Sequence, residues 1–177
     1  MLRKVIAPND LLLRPCGVWD LRWALLASGD FLGSHFNCMT VSWGGLGVMW
    51  GKPFVMVVVR PQRHTRGFMD AADSFTLSVL PREYRQVLEV LGTKSGREMD
   101  KIHHSGLTPV ASKVVASPSF EEAELVLECR KMYFADFDPA HFLAEFIPPL
   151  YKEDYHRMYF GQIQAALGTA DYQAPGV

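Results

Sequence analysis

Apolar and β-branched residues come in short runs, separated by glycine, proline and polar clusters. Residues 23–28 read as a first strand, and Gly29, Asp30 and Gly33 punctuate a hairpin turn after it. Residues 35–43 (HFNCMTVSW) supply the partner strand, rich in the residue types that suit a pleated surface. Gly44-Gly45-Leu46-Gly47 reads as a loop that Trp50, Gly51, Lys52 and Pro53 end. Residues 54–59 are continuously apolar, the pattern of a strand buried on both faces. Residues 61–73 open with Pro61 and offer Thr65 as the cap of a short helix, and residues 75–80 form a further strand. Tyr84, Val87, Leu88 and Leu91 recur at helical spacing, with Gly92 where a C-cap stands. Ser95 offers a cap for a helix to about His104, closed by Gly106 and Pro109. Residues 124–134 and 155–167 read as long strands, the second bent at Gly161, and Asp138-Pro139 opens a helical turn between them. Residues 1–20 read as irregular and 168–177 as loosely ordered.

The pattern sums to about six strands with two or three short helices inserted after the fourth. Short strands without regular βαβ alternation exclude a doubly wound sheet. A mainly β fold, an antiparallel barrel with helical insertions, fits best. No repeat, heptad or linker divides residues 1–177, which are expected to form one domain.

Composition narrows the classes. Hydrophobic residues are 49% and charged residues 21%, which excludes a disordered chain. Lys+Arg is 18 against Asp+Glu 19, a net charge of -1. Such balance gives no global footprint for nucleic acid or an anionic membrane, so local clusters must carry any anion binding. Cys16, Cys38 and Cys129 are few and far apart and form no CxxC pair, which suits a reducing cytoplasm. Asn9, Asp10, Arg14 and Asp20 interrupt the first residues, so no signal peptide is read, and no apolar run is long enough to span a membrane.

Several chemistries fall away on motif grounds. The chain has no Walker loop, no HExxH and no GxSxG, and Gly45-x-Gly47 lacks a third glycine and a following helix. His103 and His104 are adjacent and point about 100° apart on a helix, so no metal site is expected. Three segments stand out. Strand alternation places Asn37, Met39, Val41 and Trp43 on one face, and Cys38, Thr40 and Ser42 on the other. Small polar residues in a row suit the edge of a planar heterocycle, or equally a solvated face. Arg60-Pro61-x-Arg63-x-Thr65 suits a phosphate at a helix start, although a solvated basic turn is the plainer local reading. Ser95-Gly96-Arg97 with Asp100-Lys101 suits an anion or an ordinary capped helix.

The run NCMTVSWGGLGVMWGKP, continued by FVMVVVRPQRHTRGFMDAADSFTLSVL, resembles the flavin reductase-like family, whose fold is the FMN-binding split barrel. SGREMDKIHHSGLTP, EAELVLECR and HRMYFGQI continue the same order of motifs, so the resemblance covers about residues 20–165. It implies that Asn37, Cys38, Met39, Thr40, Ser42 and Trp43 line an isoalloxazine, with Trp50 and Pro53 at the loop beside it. It implies further that Arg60, Arg63, His64 and Thr65 hold the ribityl-phosphate end, that Phe75, Thr76, Leu77 and Ser78 pass beside the ring, and that Ser95, Arg97 and Lys101 add phosphate contacts. His64 departs from the pattern, standing where family members often carry an aromatic residue. His156 opens the last strand and is the implied catalytic residue, near the flavin face where a nicotinamide stacks.

The implied function is an FMN-binding oxidoreductase, with FMN ahead of FAD, that takes hydride from NADH or NADPH and reduces a flavin or another acceptor. The alternative is a non-enzymatic FMN-binding electron carrier. The implied setting is a cytoplasmic homodimer with small-molecule partners, no nucleic acid and no membrane.

Overall fold

The computed structural model describes residues 2–175. Ten strands run through them: β1 (Lys4–Ile6), β2 (Ala24–Asp30), β3 (His35–Val41), β4 (Gly44–Met49), β5 (Lys52–Val59), β6 (Ser74–Val79), β7 (Pro109–Val110), β8 (Ser119–Phe120), β9 (Leu125–Asp136) and β10 (Arg157–Gly168). Three α-helices accompany them: α1 (Thr65–Ala71), α2 (Arg85–Thr93) and α3 (Lys101–Ser105). Eight strands make one antiparallel sheet in the order β3-β2-β6-β9-β10-β5-β4, with β1 added on β10. Strands β3 and β4 are the two ends of that path, yet only Ser42 and Trp43 separate them in the chain. Two residues span too little for an open sheet, so the sheet must curl until its edges meet. The two edges meet without pairing, which leaves a barrel with one open seam.

Alternation along the strands fills both sides of the wall. Leu26, Met39, Val41, Val57, Leu77 and Leu127 point into the barrel, where Trp19 and Tyr159 pack with them. Leu25, Ala27, Cys38 and Val126 point outward beneath Leu88 and Leu91 of α2, with Leu107 and Phe120 alongside. Strand β6 is buried at every position, because it lies inside the sheet and under the outer layer. The apolar run of β5 is less covered than its composition implies: Val55, Val57 and Val59 face the core, while Phe54 and Met56 stay partly open.

The structure corrects several expectations. Gly44–Gly47 is strand, not loop, and pairs with Phe54–Val57 of β5. Glycine there reflects close approach: a Cβ on Gly44 would lie 2.5 Å from both the Met56 carbonyl and the Trp19 ring. Gly92 does not end its helix, which runs on to Thr93 and closes when Lys94 N–H donates to the Val90 carbonyl. The next helix starts at Lys101, where the Asp100 side chain caps His103 N–H, while Ser95 accepts only from Arg97 N–H. Thr65 does not cap α1; its hydroxyl is turned to β3. The first residues contribute β1, and the tail tucks Tyr172 into the barrel end, where its hydroxyl donates to Glu124. Residues 176–177 of the expected loose tail lie outside the described residues.

Strands β9 and β10 shift register between Phe160 and Gly161, at the bend expected from the sequence. A Cβ on Gly161 would lie 2.5 Å from the Phe75 ring and 2.8 Å from Cys129 Cβ. Gly161→Ala is therefore expected to cost about 1–3 kcal/mol through overpacking. Urea unfolding measures it, and an unchanged midpoint would show that Phe75 is not fixed against this strand.

Candidate functional site

The seam between the barrel edges opens into a cleft of about 190 Å3. Met39, Thr40 and Val41 of β3, with Ser42 and Trp43 after it, form one wall. Val58, Arg60, Arg63 and His156 form the other. Because β3 bonds to β2 on one side only, its second edge presents backbone N–H and C=O groups to the seam. No carboxylate lines this cleft, and its two charged residues are both arginines. The arrangement suits a planar polar-edged molecule that carries negative charge.

Each functional side chain is placed by its element. Arg60 follows β5 directly, and its guanidinium donates to Asp154 at 2.6 Å and to the Leu150 carbonyl at 3.0 Å. Arg63 precedes α1 and donates to the Gly92 carbonyl in α2 at 2.7 Å. Helix α1 is itself tied to the barrel by Asp70, which meets Arg66 at 3.0 Å and Arg157 at 3.2 Å and accepts from Tyr159.

His156 sits just before β10 and is buried. The Tyr151 hydroxyl lies 3.0 Å from its Nδ1, and the Trp43 ring lies 5.1 Å away, tilted by 46°. Burial above all, then Arg60, pushes the imidazole down from 6.5 to about 4; Asp154 opposes, and Arg63 adds less than either. The imidazole is neutral at pH 7.

Trp43 also borders a second hollow of about 530 Å3, lined by Phe137, Phe142, Ile147, Leu150, Tyr151 and Met158 among others. Phe142 and Tyr151 stack there, 5.7 Å apart and nearly parallel.

The structure gathers part of the expected set. Met39, Thr40, Ser42, Trp43, Arg60, Arg63 and His156 share the cleft. The Thr40 hydroxyl is spent on the Leu88 carbonyl of α2. Asn37, His64 and Lys101 line a separate hollow near Gly96. Asn37 donates to Thr65 Oγ1 at 2.9 Å, and Thr65 donates to the Cys38 carbonyl at 3.3 Å. Lys101 is buried and donates to the Leu91 carbonyl at 3.1 Å, so it caps the end of α2. Arg97 reaches the Gln62 carbonyl at 3.2 Å. Burial lowers the pKa of His64, and Arg97, Lys101 and His35 lower it further, which marks a local positive field.

Other expected residues lie apart from the cleft. Cys38 is fully buried, and burial raises its thiol to about 12. Ser95 only shapes the turn before Arg97. Phe75 and Leu77 fill the barrel, Thr76 donates to the Pro118 carbonyl, and Ser78 is buried. Trp50 and Pro53 sit at the far end of the β4–β5 hairpin, against Tyr133 and Phe160 in the case of Trp50. Val58, Tyr151 and Asp154 were not singled out by the sequence. Val58 is indistinguishable within its apolar run, and Tyr151 and Asp154 lie in a stretch without periodicity. The density of aromatic and charged residues in YKEDYH was the available signal.

The profile of the family described as flavin reductase like domain matches residues 23–166. An uncharacterised protein from Pyrococcus abyssi is 30% identical over 139 residues, which are 77% of each chain. Among solved structures, flavoredoxin of Desulfovibrio vulgaris (Miyazaki F) superposes with a TM-score of 0.67 at 22% identity, covering 94% of this chain and 79% of that one. An FMN-binding domain of a flavin reductases-like enzyme from Shewanella baltica gives 0.70 at 14% identity, covering 98% and 85%.

The depressed His156 pKa has a thermodynamic consequence. Between about pH 4 and 6.5 the unfolded chain binds the proton that the folded chain refuses, so stability falls as pH drops through that window. The loss is up to about 3 kcal/mol. In a proton NMR titration the His156 ring signal should stay flat from pH 8 to about 5.5. A midpoint at its ordinary value would show an exposed ring. The family profile, the curled sheet and the seam agree on one assignment: the chain belongs to the flavin reductase-like family and folds as a split barrel.

Proposed function

We propose that this protein binds FMN in the seam and acts as an oxidoreductase that takes hydride from NADH or NADPH. The single observation that carries the reading is the unpaired edge of β3 facing a cleft whose only charged groups are arginines. Donors and acceptors on that edge, with Ser42, fit the polar edge of an isoalloxazine. Arg63, with Arg97 and the positive field around His64, fits one phosphate group, which favours FMN over FAD. The FMN-binding domain named for the Shewanella baltica structure supports the same cofactor.

When bound, FMN supplies the redox chemistry, so the chain needs no acid–base dyad. Its own residues hold and shield. Val58 and Trp43 present apolar surface that keeps water from the cleft. His156, neutral at pH 7, is the residue on the hydride-donor side; it orients the incoming nicotinamide and carries no charge there. A second reading, an electron carrier without direct use of nicotinamide, draws support from the similarity to a flavoredoxin.

A homodimer completes the proposal. Trp50 is 63% exposed and Tyr133 49%, and they form one aromatic patch with Phe160. A second copy of the chain covering that patch would remove a costly apolar surface from water. The three unpaired cysteines suit a reducing compartment, the cytoplasm. Among the described residues no helix is long and apolar enough to cross a membrane.

Titration of the purified protein with FMN is expected to give a saturable flavin spectrum, and anaerobic NADH or NADPH to bleach it. Bands that neither nucleotide bleaches would support the carrier, and absence of uptake would remove the flavin assignment. Sedimentation at micromolar concentration is expected to return twice the chain mass, with Trp50→Ser shifting it toward one; a wild-type monomer would count against the dimer.

A further inference from the structure

Arg60 looks like a phosphate ligand in sequence, but both terminal nitrogens of its guanidinium already hold partners. Nη1 donates to Asp154 Oδ2 at 2.6 Å and Nη2 to the Leu150 carbonyl at 3.0 Å. Gln62 Nε2 donates to the same Asp154 oxygen at 2.8 Å, and Lys152 N–H takes the other at 2.9 Å. Both carboxylate oxygens are thus engaged, and these bonds hold the Asp154 carboxyl well below the usual carboxylate range. Side-chain exposure of 26% for Arg60 and 22% for Asp154 keeps the pair partly shielded from solvent. The arginine also lies over the Tyr151 ring, 5.2 Å from its centre. Tyr151 in turn meets His156 Nδ1 at 3.0 Å. A continuous set of contacts runs from the end of β5, through residues 150–154, to the imidazole in the cleft wall.

We propose that Arg60 is a positioning residue and not a phosphate ligand: its fork clamps residues 150–154 so that Tyr151 holds His156 in the wall of the cleft. A phosphate that drew Nη1 or Nη2 of Arg60 away from these partners would break bonds that fix this wall. Arg63, which makes one bond to a backbone carbonyl, is left as the cleft's anion-binding arginine. The proposal uses the flavin-site reading only for the part His156 plays in it.

The test is made on the full chain with Arg60→Gln and Asp154→Asn. The groups bearing on His156 are Trp43, Phe137, Tyr151, Arg60, Asp154 and Arg63. Acting by charge alone, loss of Arg60 raises the His156 pKa and loss of Asp154 lowers it. Acting as a clamp, both losses admit water to the imidazole, so both variants move its NMR midpoint upward from about 4. A downward shift in Asp154→Asn overturns the clamp. A second arm titrates FMN and riboflavin into wild type and Arg60→Gln. The ratio of the two affinities is expected to change by less than about twofold, whereas a phosphate ligand would lower it by about tenfold or more. A tenfold fall overturns the proposal. If wild type takes up neither flavin, the flavin reading fails and the direction of the Asp154→Asn midpoint decides the clamp. Should Arg60→Gln fail to fold by near-UV circular dichroism, that direction again decides it.

Discussion

Only Ser42 and Trp43 join the two edge strands of an eight-stranded sheet. That short tether forces the sheet to close. Strands β3 and β4 meet there without pairing, so the seam stays open and β3 keeps one free edge. A free edge is normally a hazard that a protein hides. Here it forms the wall of the cleft, with β5, the Arg60–Arg63 turn and His156 set opposite.

The outer layer follows from the same closure. Once the barrel is curled, every second residue of β2, β3, β6 and β9 points away from its axis. Leu25, Ala27, Cys38 and Val126 among them are apolar and need a cover. Helix α2 and the stretch around Leu107 and Phe120 provide it. Buried polar groups at this level are mostly satisfied locally: Lys101 caps α2, Asn37 and Thr65 satisfy each other, and Glu128 accepts from the backbone of Lys113 at 2.8 Å and Val114 at 2.7 Å. Several residues that resemble ligand contacts in sequence thus also fasten the layers together.

Strand periodicity made much of this legible. Residues 35–43, 75–80, 124–134 and 155–167 are found close to where alternation and β-branched content place them, and the bend at Gly161 is real. Gly44–Gly47 misled because glycine-rich sequence signals a loop by local conformational freedom, whereas here it answers a steric demand from Trp19 and the β5 backbone. The helix from Ser95 was placed too early because Asp100 is the better cap. At the site, Met39, Ser42, Trp43, Arg60, Arg63 and His156 could be named in advance. Their partners could not: Asp154 lies 94 residues from Arg60, and no local rule links them.

Strand β10 pairs with β1, β5 and β9, all of which precede it in the chain, so the barrel wall waits on its synthesis. Until then β5 has a partner only in β4, and its Val57 and Val59 stand open to solvent. A nascent chain held at that stage would expose a sticky ladder to its neighbours. The many contacts between sequence-distant residues also predispose the chain to slow folding. Truncation before β10 would thus remove the strand that joins the two halves of the sheet, and the first cost would fall on solubility.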